Sequence, residues 1–410
     1  MDYPKLRYVN AFPVEHEGQN LICIQDPAGF CEKVFFVPYP LFTLMAFFDG
    51  RHSIRDIQVE YMRRYGELLY KENILALINE LDNHLLLQSE RFEAHRRKLE
   101  NEFKQLTYRP AALAGKSYEA DPVRLESQLL SFFTSPEGPG TTPETTKPSR
   151  TLKGVIAPHV DLRNGGPCFA WAYQEIQAGS DADLFIIFGT AHNPTRGFFT
   201  LTTKDFETPL GTVETDKEFI WELEKRYPYD LYQDELNHKT EHSVEFQVVF
   251  LRYLYRNRRP IKILPILCGS LHELIVTGVN PLTVPEVKDF IQALRETITA
   301  RSSKVCMIAG ADLSHIGPRY GDPQAPSRAF RKYIEEEDLS MLRQVEQLSL
   351  EGFFHSIHKD HNKRRICGVA PIYALLASLD ASQGKLLKYD QTIIDPMTQS
   401  IVSFASMSFY

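Results

Sequence analysis

The chain has 410 residues, 43% hydrophobic and 24% charged, with a formal net charge of -7. That length exceeds what one small core needs and makes two domains the natural prior, while the composition is that of soluble globular proteins. The acidic balance supplies no broad basic field, so neither nucleic acid nor an anionic membrane is an expected partner. No stretch approaches the roughly 20 apolar residues of a membrane span. The opening Met1-Asp2-Tyr3-Pro4 lacks the basic-then-apolar form of a signal peptide, and a cytoplasmic address is expected. The six cysteines are scattered without a C-x-x-C, which argues against a disulfide framework or a zinc ribbon.

Residues 1–95 read as a small domain. Val34 to Val37 is a short strand-like run, broken by Pro38-Tyr39-Pro40 ahead of an apolar helix from Leu41 to Phe48. Ser53 is an N-cap for a helix over Ile54 to Tyr65 with Gly66 as its stop, and a third helix runs from about Tyr70 to Leu85 with Ile74, Leu77, Ile78 and Leu81 on one face. Helices and strands packed so closely in sequence predict a winged-helix-like arrangement. The stretches F-D-G-R-H-S-I-R-D-I, from Phe48, and N-I-L-A-L-I-N-E-L-D-N-H-L-L-L, from Asn73, resemble PqqD-like peptide-recognition domains. The resemblance implies a domain that binds a peptide or partner, by pairing a strand at its sheet edge. A helical accessory domain that only dimerises or covers its neighbour is the plainer alternative.

Residues 96–150 read as a connection: charged and helix-permissive to about residue 107, then rich in Pro, Gly and Thr from Ser135 to Arg150. The second domain, 151–410, alternates apolar runs (Gly154 to Ala157, Leu184 to Phe188, Ile261 to Leu267, Lys304 to Ala309) with helical patterns. That alternation predicts an α/β fold, a mostly parallel sheet flanked by helices. Leu386 to Tyr389 and Val402 to Phe409 read as strands closing one side of it.

Three of the apolar runs end in a histidine. His159 follows Ala157-Pro158, His192 follows Gly189-Thr190-Ala191, and His315 comes three residues after Asp312 in G-A-D-L-S-H-I-G. In open α/β sheets ligands sit beyond the carboxyl ends of the strands, so three such ends can meet at one site. Asp312 and His315 read as a proton-transfer pair; an Asp that caps the next helix is the ordinary alternative. Cys367, in R-R-I-C-G, precedes an apolar helix whose dipole would favour its thiolate, the form that binds metal; a buried packing cysteine is the alternative. In E-H-S-V-E, His242 and Glu245 share one helix face and read as substrate-pocket groups or as residues orienting the ligands, or else as a water-exposed helix start.

The pieces I-A-P-H, F-G-T-A-H, E-H-S-V-E, A-D-L-S-H and I-C-G, with the closing Ser400 to Ser406, together resemble the Memo family, the Memo-like component of the AmmeMemoRadiSam set. The resemblance implies a fold similar to that of class III extradiol ring-cleaving dioxygenases. It implies a metal on His159, His192 and Cys367, with His315 in the place of the dioxygenases' acid/base histidine and Asp312 beside it. It also implies a small-molecule or peptide substrate and partners such as a radical SAM protein. Two imidazoles and a thiolate suit iron, copper or zinc. The fold likeness favours Fe(II) or copper and an oxidoreductase over a zinc hydrolase, and leaves open a non-catalytic binding or metal-handling protein. Val160-Asp161 stands where the family usually has Ala-Gly, and Asn193 where a second histidine often follows.

Overall fold

The computed structural model describes residues 1–16, 18–26, 29–31, 33–143 and 151–410. The chain divides into two compact units, Met1–Gln105 and Leu106–Tyr410.

The first unit opens with an antiparallel sheet of β1 (Asn10–His16), β2 (Gln19–Gln25) and β3 (Phe35–Pro38), in that order. Helices α1 (Tyr39–Met45), α2 (Ile54–Tyr65), α3 (Lys71–Asn83) and α4 (Glu90–Gln105) follow. Pro40 opens α1, where a missing backbone N–H costs nothing. Ser53 and Asp56 form a reciprocal capping box on α2, and Gly66, at φ 72, ends it. Ile57, Ile74, Ile78 and Leu81 then close the core against Ile24 and Leu44. The expected helices are therefore present, and a fourth, α4, occupies much of the charged stretch read as connection.

The second unit begins earlier than expected, and this corrects the 151 boundary. Strand β4 (Tyr108–Arg109) pairs with β8 (Asp205–Phe206), and helix α5 (Pro122–Thr134), capped by Asp121, buries Leu125, Leu129 and Phe133. These residues join the same core as α6 (Leu162–Gly179) and α8 (His242–Tyr255). Of the Pro-, Gly- and Thr-rich stretch from Ser135 to Arg150, residues 144–150 lie outside the described residues.

The large sheet is built on four parallel strands in the order β5 (Gly154–Ala157), β11 (Val305–Gly310), β6 (Leu184–Thr190) and β10 (Lys262–Cys268). Antiparallel strands flank them. Beyond β10 lies β7 (Phe199–Leu201), while the short β9 (Glu214–Thr215) pairs with β10 in parallel; beyond β5 lie β14 (Ser400–Phe409), β13 (Gly384–Asp395) and β12 (Asp312–Ile316). Residues alternate across it as a period of two requires. Val155, Phe185, Ile187 and Ile308 pack under α5, α6 and α8. Ile156, Ile186, Phe188, Met307 and Ala309 pack under α7 (Lys217–Glu224), α10 (Pro285–Arg301), α12 (Leu350–His358) and α13 (Val369–Ser378). Helices α9 (His272–Thr277) and α11 (Arg328–Glu346) complete the unit. The mostly parallel sheet between two helical layers agrees with the expectation. No helix among the described residues is long and apolar enough to cross a membrane.

The start of α8 lies across two of the parallel strand ends. A Cβ at Gly189 would come within 2.6 Å of Ser243 Oγ, and one at Gly310 within 2.5 Å of the Ser243 carbonyl oxygen. Only glycine lets the helix settle this low, which places His242 over the carboxyl ends of the strands.

Candidate metal centre

Strands β5, β11 and β6 are neighbours, and their carboxyl ends are in register: Gly310 lies opposite both Ala157 and Gly189. His159 and His192 each follow two residues beyond their strands. Helix α8 braces both turns, Ser243 Oγ donating to the Thr190 carbonyl at 2.9 Å and Gln247 Nε2 to that of Pro158 at 2.8 Å.

The ligand nitrogens of His159, His192 and His242 lie within 4.8 Å of one another. His159 is buried, 2% exposed, whereas the side chains of His192 and His242 keep 34% and 32% of their surface open. In each ring Nδ1 has an outward partner. For His159 it is the Gly310 carbonyl, at 2.9 Å; for His192 and His242 it is a single carboxylate, Glu241, at 3.0 and 3.2 Å. Engaging Nδ1 in this way fixes each ring and leaves Nε2 as the ligand atom, the arrangement that metal-binding histidines require.

Cys367 brings sulfur to the same place. Its Sγ is 3.2 Å from His159 Nε2 and 3.8 Å from the Asp312 carbonyl. The three imidazoles form one candidate donor set, with the Cys367 sulfur beside its buried member, His159. The structure thus moves His242 from an orienting role into the cluster itself.

Burial works against the Cys367 thiolate, but the charges of His159 and His315 and hydrogen bonds from His159 and His192 overcome it and hold the thiol far below its ordinary range. The same pairing, with Asp312, raises His159 despite its burial. Burial pushes His242 down to about 3, with Glu241 pulling the other way. A lowered thiol keeps its thiolate until the pH falls through the lowered value. Metal-free protein carrying Cys31→Ser, the other cysteines apart from Cys367 being buried, should therefore react with iodoacetamide equally fast at about pH 8 and about pH 6.5. An ordinary thiol slows on the order of twentyfold over that interval; such slowing would show the sulfur to be protonated near neutrality.

Asp312 and His315 do not form the expected pair. Past Gly310 the chain turns straight into β12, so both residues lie on a second strand that pairs with β14, not at a strand-to-helix turn. Asp312 Oδ1 accepts the His159 backbone N–H at 2.8 Å, and Oδ2 sits 3.6 Å from His159 Nε2. His315 instead directs Nδ1 to its neighbour's carbonyl, Leu313, at 3.0 Å, and its ring meets Tyr320 edge-on at 4.9 Å. Asp312 serves His159, and among the described residues no hydrogen bond reaches His315 Nε2.

The segment Arg364 to Gly368 holds Cys367 against this strand. The His315 N–H donates to the Arg364 carbonyl, Arg365 to the His315 carbonyl, and the Gly368 N–H to the Asp312 carbonyl, at 2.8, 3.1 and 3.0 Å. Arg365, at φ 54, takes a left-handed turn to set the cysteine here.

A model of the Memo-like protein family matches residues 109–408. The chain belongs to this family. A MEMO1 family protein of Aquifex aeolicus is 31% identical over 99% of this chain and 100% of its own length. One of Methanopyrus kandleri is 29% identical over 68% of this chain and 91% of its own length, and one of Thermus thermophilus is 24% identical over 86% and 98%.

Sequence reasoning misplaced one residue of this Memo-like centre and missed another. Glu245 is fully buried and faces neither the rings nor the cleft; its carboxylate binds Arg109, the Leu113 N–H and the Tyr118 hydroxyl. The orienting carboxylate is Glu241. It caps α8 through the Ser243 N–H, and its other oxygen binds the His192 N–H. The adjacent acid in E-H-S-V-E was the available signal.

Proposed function

We propose that the Memo-like unit is a metal-dependent oxidoreductase of the cytoplasm, holding iron or copper on His159, His192 and Cys367, with His242 as a further nitrogen. Its substrate is a small or peptide-borne molecule. The observation that carries this reading is the approach of the Cys367 sulfur to the Nε2 of His159 within a cluster whose Nδ1 atoms are all engaged elsewhere. Mixed imidazole and thiolate donors suit iron and copper, which supply a redox couple and a Lewis-acidic centre when bound.

The chain's own groups divide the remaining work. Glu241 fixes the His192 ring through Nδ1 and lies beside that of His242, the Gly310 carbonyl fixes the His159 ring, and Asp312 holds the His159 backbone. His315, with Nδ1 tied to Leu313 and no hydrogen bond at Nε2 among the described residues, accepts a substrate proton and returns it. The exposed edges of His192 and His242 form the side from which a substrate enters. The first unit, read as PqqD-like and winged-helix-like, would present a peptide, supported by the place of β3 at one end of its strand order and by the exposure of Phe36 and Tyr39. A radical SAM protein is the partner proposed for such an assembly.

Elemental analysis of protein purified without oxygen tests the metal. About one iron or copper per chain is expected, lost in Cys367→Ala. Stoichiometric zinc would replace oxidation with hydrolysis. Absence of metal from both would leave a peptide-binding protein.

A further inference from the structure

Arg109 stands outside every motif named above, yet it is completely buried. Its guanidinium has three sets of acceptors. Nε donates to the His238 carbonyl at 2.8 Å, one terminal nitrogen to the Glu241 carbonyl at 2.9 Å, and the other to Glu245 and the Pro110 carbonyl. Strand β4 anchors its backbone to β8, where its cation faces the Phe206 ring at 5.3 Å. The two carbonyls from the α8 side bracket the turn His238 to Glu241, which ends at the residue whose carboxylate orients His192 and His242.

We propose that Arg109 is a positioning residue for the metal centre: by fixing the backbone of Glu241, it sets where that carboxylate meets the two imidazoles. The proposal rests on the metal reading above. The geometry needs arginine. A flat group with five donors in fixed directions can satisfy two carbonyls and a carboxylate together, whereas a lysine ammonium cannot span them. Glu245 neutralises the guanidinium, so the charge of Glu241 stays with the histidines. Leu113 and Tyr118, bonded to Glu245, tie the segment after β4 to the same point.

The test uses Co(II) titration of the full chain, together with nitrogen NMR of the His192 and His242 rings in metal-free protein. Two variants are compared, Arg109→Lys and the double Arg109→Met, Glu245→Gln; the double leaves no unpaired buried charge and retains an acceptor for Leu113 and Tyr118. A loss of Co(II) affinity on the order of tenfold is expected in both, with shifted ring signals. Leu223→Ala, a core cavity on the buried face of α7, loses stability but should keep wild-type affinity and ring signals. A folded double variant with unchanged affinity and unchanged ring signals would overturn the proposal. If the wild-type chain takes up no Co(II), the metal reading fails, and the ring signals alone decide whether Arg109 governs Glu241: shifted signals support it, unchanged ones refute it.

Discussion

Replacing His159 by alanine is expected to abolish metal binding, with affinity falling more than about a hundredfold, beyond the loss caused by removing an outer partner of a ligand. His159 belongs to the imidazole cluster and touches the sulfur as well: its ring is the one buried member, held by the Gly310 carbonyl on one side and facing the Cys367 sulfur on the other. His242→Ala should cost less, because it leaves the two imidazoles and the thiolate in place. Isothermal titration of the metal-free protein measures both. Equal losses at the two positions would mean that the nitrogen cluster binds without the sulfur.

The second large effect concerns stability. Asp338, on α11, has no exposed surface and accepts bonds from Ser314 Oγ at 2.7 Å, Ser403 Oγ at 2.5 Å, Arg364 at 2.6 Å and Tyr389 Oη at 3.0 Å. It therefore joins β12, β13 and β14 to the loop that carries Cys367. Asp338→Ala leaves the guanidinium of Arg364 buried, 5% exposed, without its close carboxylate and with only Asp360, 3.8 Å from Nε, as a longer-range partner. Breaking a buried pair from one side costs about 3–5 kcal/mol, and chemical denaturation should show a loss of that size. Adding Arg364→Met should recover much of it, since the uncompensated charge is then gone. A loss below about 1 kcal/mol would place Asp338 among the dispensable contacts, where surface pairs belong.

The parts of this fold visible in the sequence are those where local chemistry and tertiary placement agree. Ser53 and Gly66 bound α2 because a capping hydroxyl and a left-handed glycine act within a few residues. The runs before His159 and His192 are apolar at every position because both faces of the parallel strands are covered. Where the interaction is long-range, the sequence is silent or misleading. Arg109 finds its partners more than a hundred residues away, and nothing around it is periodic. Asp312 and His315 share a spacing that suits a pair at a turn, but a strand at that position sends their bonds to different partners. Glu245 has the right spacing from His242 to share a helix face, yet it is drawn toward Arg109, while the adjacent Glu241 turns to the rings.

X-ray absorption at the edge of the bound metal, on wild-type protein and on Cys367→Ser, tests the central claim most directly. The account predicts a first shell of nitrogen with one sulfur at about 2.3 Å, the sulfur signal disappearing in the variant while imidazole scattering remains. A metal surrounded by nitrogen and oxygen alone in the wild-type protein would contradict it.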